Sequence, residues 1–252
     1  LFRRYFEEHA CKELKPRTQE GYSQIWRTHL EPRFGEVPAS RLTQDMVRSA
    51  MSEVQKTSPQ VVRSVKKVIS VIYEWGREHF PGIVSNPAMG IKVTVSKGKR
   101  DRWLADSELA KLIPALDNLR DQESADCIRL ILYSACRPGE AYNLKASDLE
   151  TINGEKVWRM KDPKNGKEFM VPVQGKILEV ISRRGKDLGP IFPSLTGKSY
   201  YPNRLKETMK QLRKSLGFSF KPHDLRRTCV SGMARLGVAP HVADKVLNHQ
   251  TG

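Results

Sequence analysis

Residues 92–102 decide how the rest of this chain can fold. The run Lys-Val-Thr-Val-Ser-Lys-Gly-Lys-Arg-Asp-Arg lacks apolar periodicity and holds five cations against one acid, as a linker between two compact units does. The chain on each side must then supply its own core. The expected organisation is a helical unit over residues 1–91, a basic linker over 92–102 and a second unit over 103–252. A chain of 252 residues with 38% hydrophobic and 29% charged residues has the composition of a globular protein and the length for two ordinary domains.

The first unit reads as helices. Tyr22, Ile25, Trp26 and Leu30 recur at helical spacing on one face. Thr43 has the position and chemistry of an N-cap for a helix burying Val47, Ala50, Met51 and Val54. Ser58-Pro59 opens a third helix, which runs through Val61, Val62, Val65, Val68, Ile69, Ile72 and Tyr73 toward Phe80. Its solvent side carries Arg63, Lys66, Lys67 and Arg77. Each of these cations alone is what any solvated helix face carries. Asn86-Pro87 marks the turn that closes the region.

The net charge is +16, and it is not concentrated in a tail. Residues 1–100 hold 18 Lys and Arg against 10 Asp and Glu, half of the excess, and the other half follows. An excess spread over both units suits a protein that surrounds a polyanion, which favours nucleic acid over a merely basic surface. Cys11, Cys127, Cys136 and Cys229 are scattered with no CxxC pair, so free thiols in a reducing cytoplasm are expected. No apolar run reaches membrane-spanning length, and Leu1-Phe2-Arg3-Arg4 does not read as a signal peptide. The start without Met and the stop at Gly252 suggest a piece of a longer protein at both ends.

The second unit holds the chemistry. Asp106 or Ser107 should cap a helix marked by Leu109, Leu112, Ile113 and Leu116. A further helix through Ile128–Ala135 delivers Arg137 at its C-terminus. Pro138-Gly139 then breaks it, and Glu140 starts a short new one, close enough to orient the Arg137 guanidinium by a bidentate pair. Val157–Met160 and Glu168–Val173 alternate as strands, and Asn165-Gly166 between them signals a hairpin presenting Lys161, Lys164 and Lys167 near its tip. After Pro222, His223 and Arg226 share one helical face near a helix N-terminus, where the backbone favours an anion. Pro240 begins another helix, with Val242, Val246 and Leu247 packing inward and His249 just beyond. Guanidinium groups hold phosphate, and imidazoles move protons or donate hydrogen bonds beside it.

Arg137 in Arg-Pro-Gly-Glu, a lysine on a β-hairpin, His223-x-x-Arg226 and His249, 23 residues after Arg226, together resemble the tyrosine recombinase (phage integrase) family over nearly the whole chain. The resemblance implies a mainly α (α+β) protein, with a helical core-binding domain and a mostly helical catalytic domain bearing a small antiparallel β-sheet, closing around DNA as a clamp. It implies that Arg137 and Arg226 hold the scissile phosphate, His223 acts as general acid/base and His249 hydrogen-bonds the phosphate. A hairpin lysine would protonate the 5′ leaving oxygen. Lys164 fits the family pattern best by its distance from Pro172, with Lys161 and Lys167 as alternatives. Glu140 would support Arg137. Arg63, Lys66, Lys67, Lys97, Lys99, Arg100, Arg102 and Arg227 would contact DNA.

The family's tyrosine nucleophile would fall about nine residues after His249, near position 258, outside this chain. Tyr200 and Tyr201 precede His223 and do not fit the family order. The implied activity is site-specific cleavage and rejoining of duplex DNA through a 3′-phosphotyrosyl link, integrating or excising a mobile element such as a prophage. It needs no metal or ATP, and these 252 residues alone should bind DNA without cleaving it. Implied partners are double-stranded attachment sites, three further copies in a homotetramer on DNA (a monomer when free) and accessory DNA-bending proteins. No membrane is involved, and the location is cytoplasmic. The alternatives are a type IB topoisomerase, which the helical first unit and short chain disfavour, and a non-cleaving DNA-binding accessory protein, which would need no acid/base pair.

Overall fold

The computed structural model describes residues 1–94, 101–160, 168–185, 188–193 and 202–248, a mainly helical chain with one small antiparallel sheet. It divides into two units, Leu1–Gly98 and Lys99–Gly252.

In the first unit, α1 (Phe2–Tyr5) passes through a π-helical turn, Phe6–Ala10, into α2 (Cys11–Glu13). The next run repeats this pattern, with α3 (Pro16–Ile25), a π-helical turn at Trp26–Leu30 and α4 (Glu31–Phe34). Phe2 and Trp26 stack at 4.3 Å between ring centroids, joining the two runs. Helix α5 (Gln44–Thr57) starts where expected, its Thr43 hydroxyl accepting from the Met46 N–H at 3.3 Å. Its buried face is Val47, Ala50, Met51 and Val54. Pro59–Val61 form a 3₁₀ turn before α6 (Val62–His79), and the Ser58 side chain makes no capping bond there. Val62, Val65, Val68, Ile69, Ile72 and Tyr73 are buried, while Phe80 lies just past the last turn. Asn86 locks the closing turn: its side-chain oxygen accepts from the Ala88 N–H at 2.9 Å, and its amide donates to Glu74 at 2.8 Å.

The second unit is built around α8 (Gln122–Ser134), which is buried on nearly every side from Ser124 onward. It packs against α7 (Asp106–Asp117), α10 (Gly175–Arg184), α11 (Pro202–Leu216) and α12 (Pro222–Arg235). A helix enclosed this way should be apolar all round, yet it carries the fully buried Asp126. Asp126 is tolerated because three arginines converge on it: Arg129 at 2.7 Å, Arg183 at 2.8 Å and Arg184 at 2.9 Å. Helix α7 departs from the expected start. Ala105 occupies the cap and Asp106 the first helical position, and the Glu108 carboxylate accepts from the Ala105 N–H at 3.0 Å. Asp106 instead pairs with Arg235.

The sheet has three strands where the alternation pattern suggested two: β1 (Leu149–Ile152), β2 (Glu155–Met160) and β3 (Phe169–Pro172), in that order. The unforeseen β1 joins β2 through Asn153-Gly154, both at positive φ, as a two-residue hairpin turn of this twist requires. Trp158 of β2 pairs with Leu149 and Val171 and is almost fully buried. Residues 161–167, with the Asn165-Gly166 signal, lie outside the described residues. The last helix, α13 (Pro240–Val246), buries Ala243 and is followed by the buried Leu247. Val242, expected to pack inward, is exposed.

Candidate active site

The chain turns sharply between α8 and the short helix α9 (Pro138–Asn143), and this joint aims Arg137. Helix α8 stops because Ala135 adopts a left-handed conformation, φ 53°. Pro138 does not lie between the two helices; it occupies the first position of α9, where its fixed φ suits the start and its missing N–H costs nothing. Arg137 is therefore the cap residue of α9. One carboxylate holds both its backbone and its side chain: Glu140 accepts from the Arg137 N–H at 2.6 Å and from its guanidinium at 2.8 Å. The expected Arg137–Glu140 contact is present, with one of its two bonds made by the main chain.

Arg226 reaches this joint from α12. The helix opens with Pro222 at its first position, and Asp224 accepts from the Lys221 N–H at 2.9 Å. Arg226 is almost wholly buried, and its guanidinium donates to the Ala135 carbonyl at 2.7 Å and the Leu247 carbonyl at 2.6 Å. It thereby ties the end of α8 to the residue following α13. Burial lowers the Arg226 pKa from its ordinary value, and the neighbouring positive charge of Arg137 lowers it further. Two guanidinium groups this close, one of them desolvated, favour an anion between them.

A cleft of about 580 Å³ opens beside them, lined by Arg137, His223, Arg226, Arg227, Trp103 and Leu247 among others. His223 is exposed, three residues before the buried Arg226 on α12. The cleft brings together Arg137, His223, Arg226 and Arg227, with Glu140 bonded to Arg137 from behind. His249, Lys161, Lys164, Lys167, Lys97, Lys99 and Arg100 lie outside the described residues. Arg102 does not line the cleft. Its guanidinium donates to the Ser219 carbonyl and to Glu108, each at 2.6 Å, and so fastens the start of the second unit. Arg63, Lys66 and Lys67 belong to α6 of the first unit, where Lys67 sits 5.8 Å from the Tyr22 ring and Lys66 is half-buried. A larger cleft of about 780 Å³ in the first unit is lined mostly by apolar residues such as Phe2, Phe6, Trp26 and Phe34 and holds none of the candidate site residues.

Neither Trp103 nor the Ala135 carbonyl has a role assigned from the sequence. Trp103 carried a readable signal, a bulky aromatic beside a basic linker. The Ala135 carbonyl carried none, since no side chain announces it.

Two arginines held by hydrogen bonds and lining one cleft, with a histidine beside them, have the chemistry to hold a phosphate group and to move a proton next to it. Residues 102–252 match the model of the phage integrase family, and the chain belongs to that family. Similar proteins include a tyrosine recombinase of Thermosipho africanus, 27% identical over 173 residues, covering 66% of this chain and 60% of that protein. The tyrosine recombinase XerA of Pyrococcus furiosus is 28% identical over 157 residues, 58% of this chain and 52% of XerA. The chain thus spans little more than half the length of these relatives. A solved lambda integrase (75–356) dimer bound to a core site superposes with a TM-score of 0.80 at 16% identity, covering 99% of this chain and 90% of that one. The Tn1549 transposon integrase in complex with circular intermediate DNA gives 0.73 at 14% identity, covering 99% and 91%. The fold is that of these integrases. Among the described residues no helix is long and apolar enough to cross a membrane.

Proposed function

We propose that the protein this chain belongs to is a site-specific DNA recombinase that cuts and rejoins duplex DNA through a 3′-phosphotyrosyl intermediate. The observation that carries this reading is the convergence of Arg137 and Arg226 on one cleft, one held by a carboxylate and the other by two carbonyls. In this reading the two guanidiniums bind the non-bridging oxygens of the scissile phosphate and stabilise the charge that builds there in the transition state. Their positions are set before substrate arrives, so little reorganisation is needed. His223 exchanges a proton with the nucleophile as general acid/base, His249 hydrogen-bonds the phosphate, and a lysine of residues 161–167, Lys164 first, protonates the leaving oxygen. The nucleophile is a tyrosine outside residues 1–252. Leu1–Gly98 serves as the core-binding domain and Lys99–Gly252 as the catalytic domain, both contacting DNA with basic residues such as Arg63, Lys67 and Arg227. Assembly as a tetramer on DNA is supported by the likeness to a lambda integrase tetramer bound to a Holliday junction, TM-score 0.80.

The full-length protein, given an attachment-site duplex nicked so that the cut fragment diffuses away, should form a covalent protein–DNA adduct, and Arg137→Ala should abolish it. If no adduct forms while DNA is still bound, the protein is a binder and not a recombinase. Glu140→Ala tests the support of Arg137. It removes the bonds of Glu140 to the arginine backbone and side chain together, and adduct formation should fall about ten- to a hundred-fold from misplacement. An unchanged rate would show that Arg137 is held by other groups.

A further inference from the structure

Trp103 lines the phosphate cleft, and the chemistry proposed above gives it no role. Its indole is 42% exposed although it is the bulkiest apolar side chain of its segment. Both neighbours are fixed. Arg102 is bonded to the Ser219 carbonyl and Glu108, while Leu104 is fully buried with its N–H donating to the Thr228 hydroxyl at 2.8 Å. The ring itself is braced. The Arg235 guanidinium lies 5.6 Å from its centroid and is itself anchored by two bonds of 2.8 Å to Asp106. An aromatic at the edge of this cleft, with both chain neighbours fixed and a cation over its ring, has less conformational freedom to lose when a ligand binds, a condition that favours its use in recognition. In a duplex the base faces are stacked on one another, so the apolar surface beside a DNA phosphate is the C–H edge of the deoxyribose, which an indole can cover.

We infer that Trp103 packs against the nucleotide next to the phosphate held by Arg137 and Arg226, fixing the position of the strand along the cleft. This inference rests on the cleft being a DNA site, and its test separates the two. The 252-residue chain is titrated with a short mixed-sequence duplex at several salt concentrations. Trp103→Ala should weaken binding on the order of ten-fold, from the apolar contact area that is lost. The slope of log affinity against log salt should stay as it was, because an indole displaces no counterions. Trp103→Phe should restore most of the affinity. Arg137→Ala, in contrast, should weaken binding and reduce the slope by about one. DNA should also quench tryptophan emission in the wild type, and that quenching should largely disappear in Trp103→Phe, with Trp26, Trp75 and Trp158 intact.

If Arg137→Ala changes neither affinity nor slope, the cleft is not where DNA binds and the functional reading fails. If Arg137→Ala acts while Trp103→Ala binds like the wild type, the cleft stands and the role of Trp103 is overturned. A loss of affinity in Trp103→Ala that comes with a lower melting temperature, with quenching retained in Trp103→Phe, also overturns it and assigns Trp103 to packing.

Discussion

Replacing Arg226 with alanine should lower DNA cleavage by the full-length protein about a hundred- to a thousand-fold, the usual loss when a fixed donor to a developing anionic charge is removed. The arginine is held in its position by the Ala135 and Leu247 carbonyls, an anchorage that the exposed Arg227 in the same cleft does not share. The same two bonds set the cost in stability. Each carbonyl left without a partner in a buried site costs about 1–3 kcal/mol, offset in part by relief of the repulsion from Arg137. Arg226→Lys should rescue little. One ammonium group cannot bridge two carbonyls and still present a planar pair of donors to a phosphate. Cleavage is to be measured per folded molecule, with circular dichroism giving the folded fraction. A rate within about three-fold of wild type would end the assignment of Arg226 as a phosphate ligand.

The largest effect on stability should come from Asp126→Ala, at about 3–5 kcal/mol. The carboxylate is fully buried, and it joins α8 to α10 through Arg183 and Arg184 while also holding Arg129 within its own helix. Removing it leaves the buried Arg129 and the half-buried Arg184 without the carboxylate they share. Arg129 keeps Asp117 at 2.5 Å, so the loss should fall nearer the lower end of the range. For a unit of this size that is a fall of about 10 °C in melting temperature. Asp126→Asn, which keeps shape and some hydrogen bonds but not the charge, should fall between. A cost below about 1 kcal/mol for Asp126→Ala would mean that the arginines find water or other acids, and that the buried cluster does not fasten the helices.

These two residues also show where sequence reading succeeds and where it stops. Helix α5 was legible because everything that forms it is local: Thr43 caps it, and four apolar residues at helical spacing face the core. Arg137 and Glu140 were legible for the same reason, being three residues apart across a Pro-Gly step. Arg226 could be picked out by its spacing from His223, but its partners could not. The Ala135 carbonyl is 91 residues away and has no side-chain signature. Nothing local in the sequence marks Asp126, since only tertiary packing turns nearly all sides of α8 inward. Strand β1 was missed because Leu-Glu-Thr-Ile is short and shows no clean alternation, although the Asn153-Gly154 turn after it was there to be read. Val242 shows the converse error: an apolar residue on a seven-residue helix was assigned to the wrong face, where one position of phase decides burial.

Ala135 has a consequence beyond the position of Arg137. A residue with a Cβ holds the left-handed conformation at a cost of about 1 kcal/mol that glycine would escape. Glycine would also multiply the shapes open to the unfolded chain and to the joint itself. The joint is thus stiff and slightly strained, and its carbonyl is delivered to Arg226 in one orientation. A glycine here would relieve the strain and loosen the aim of the carbonyl that Arg226 depends on.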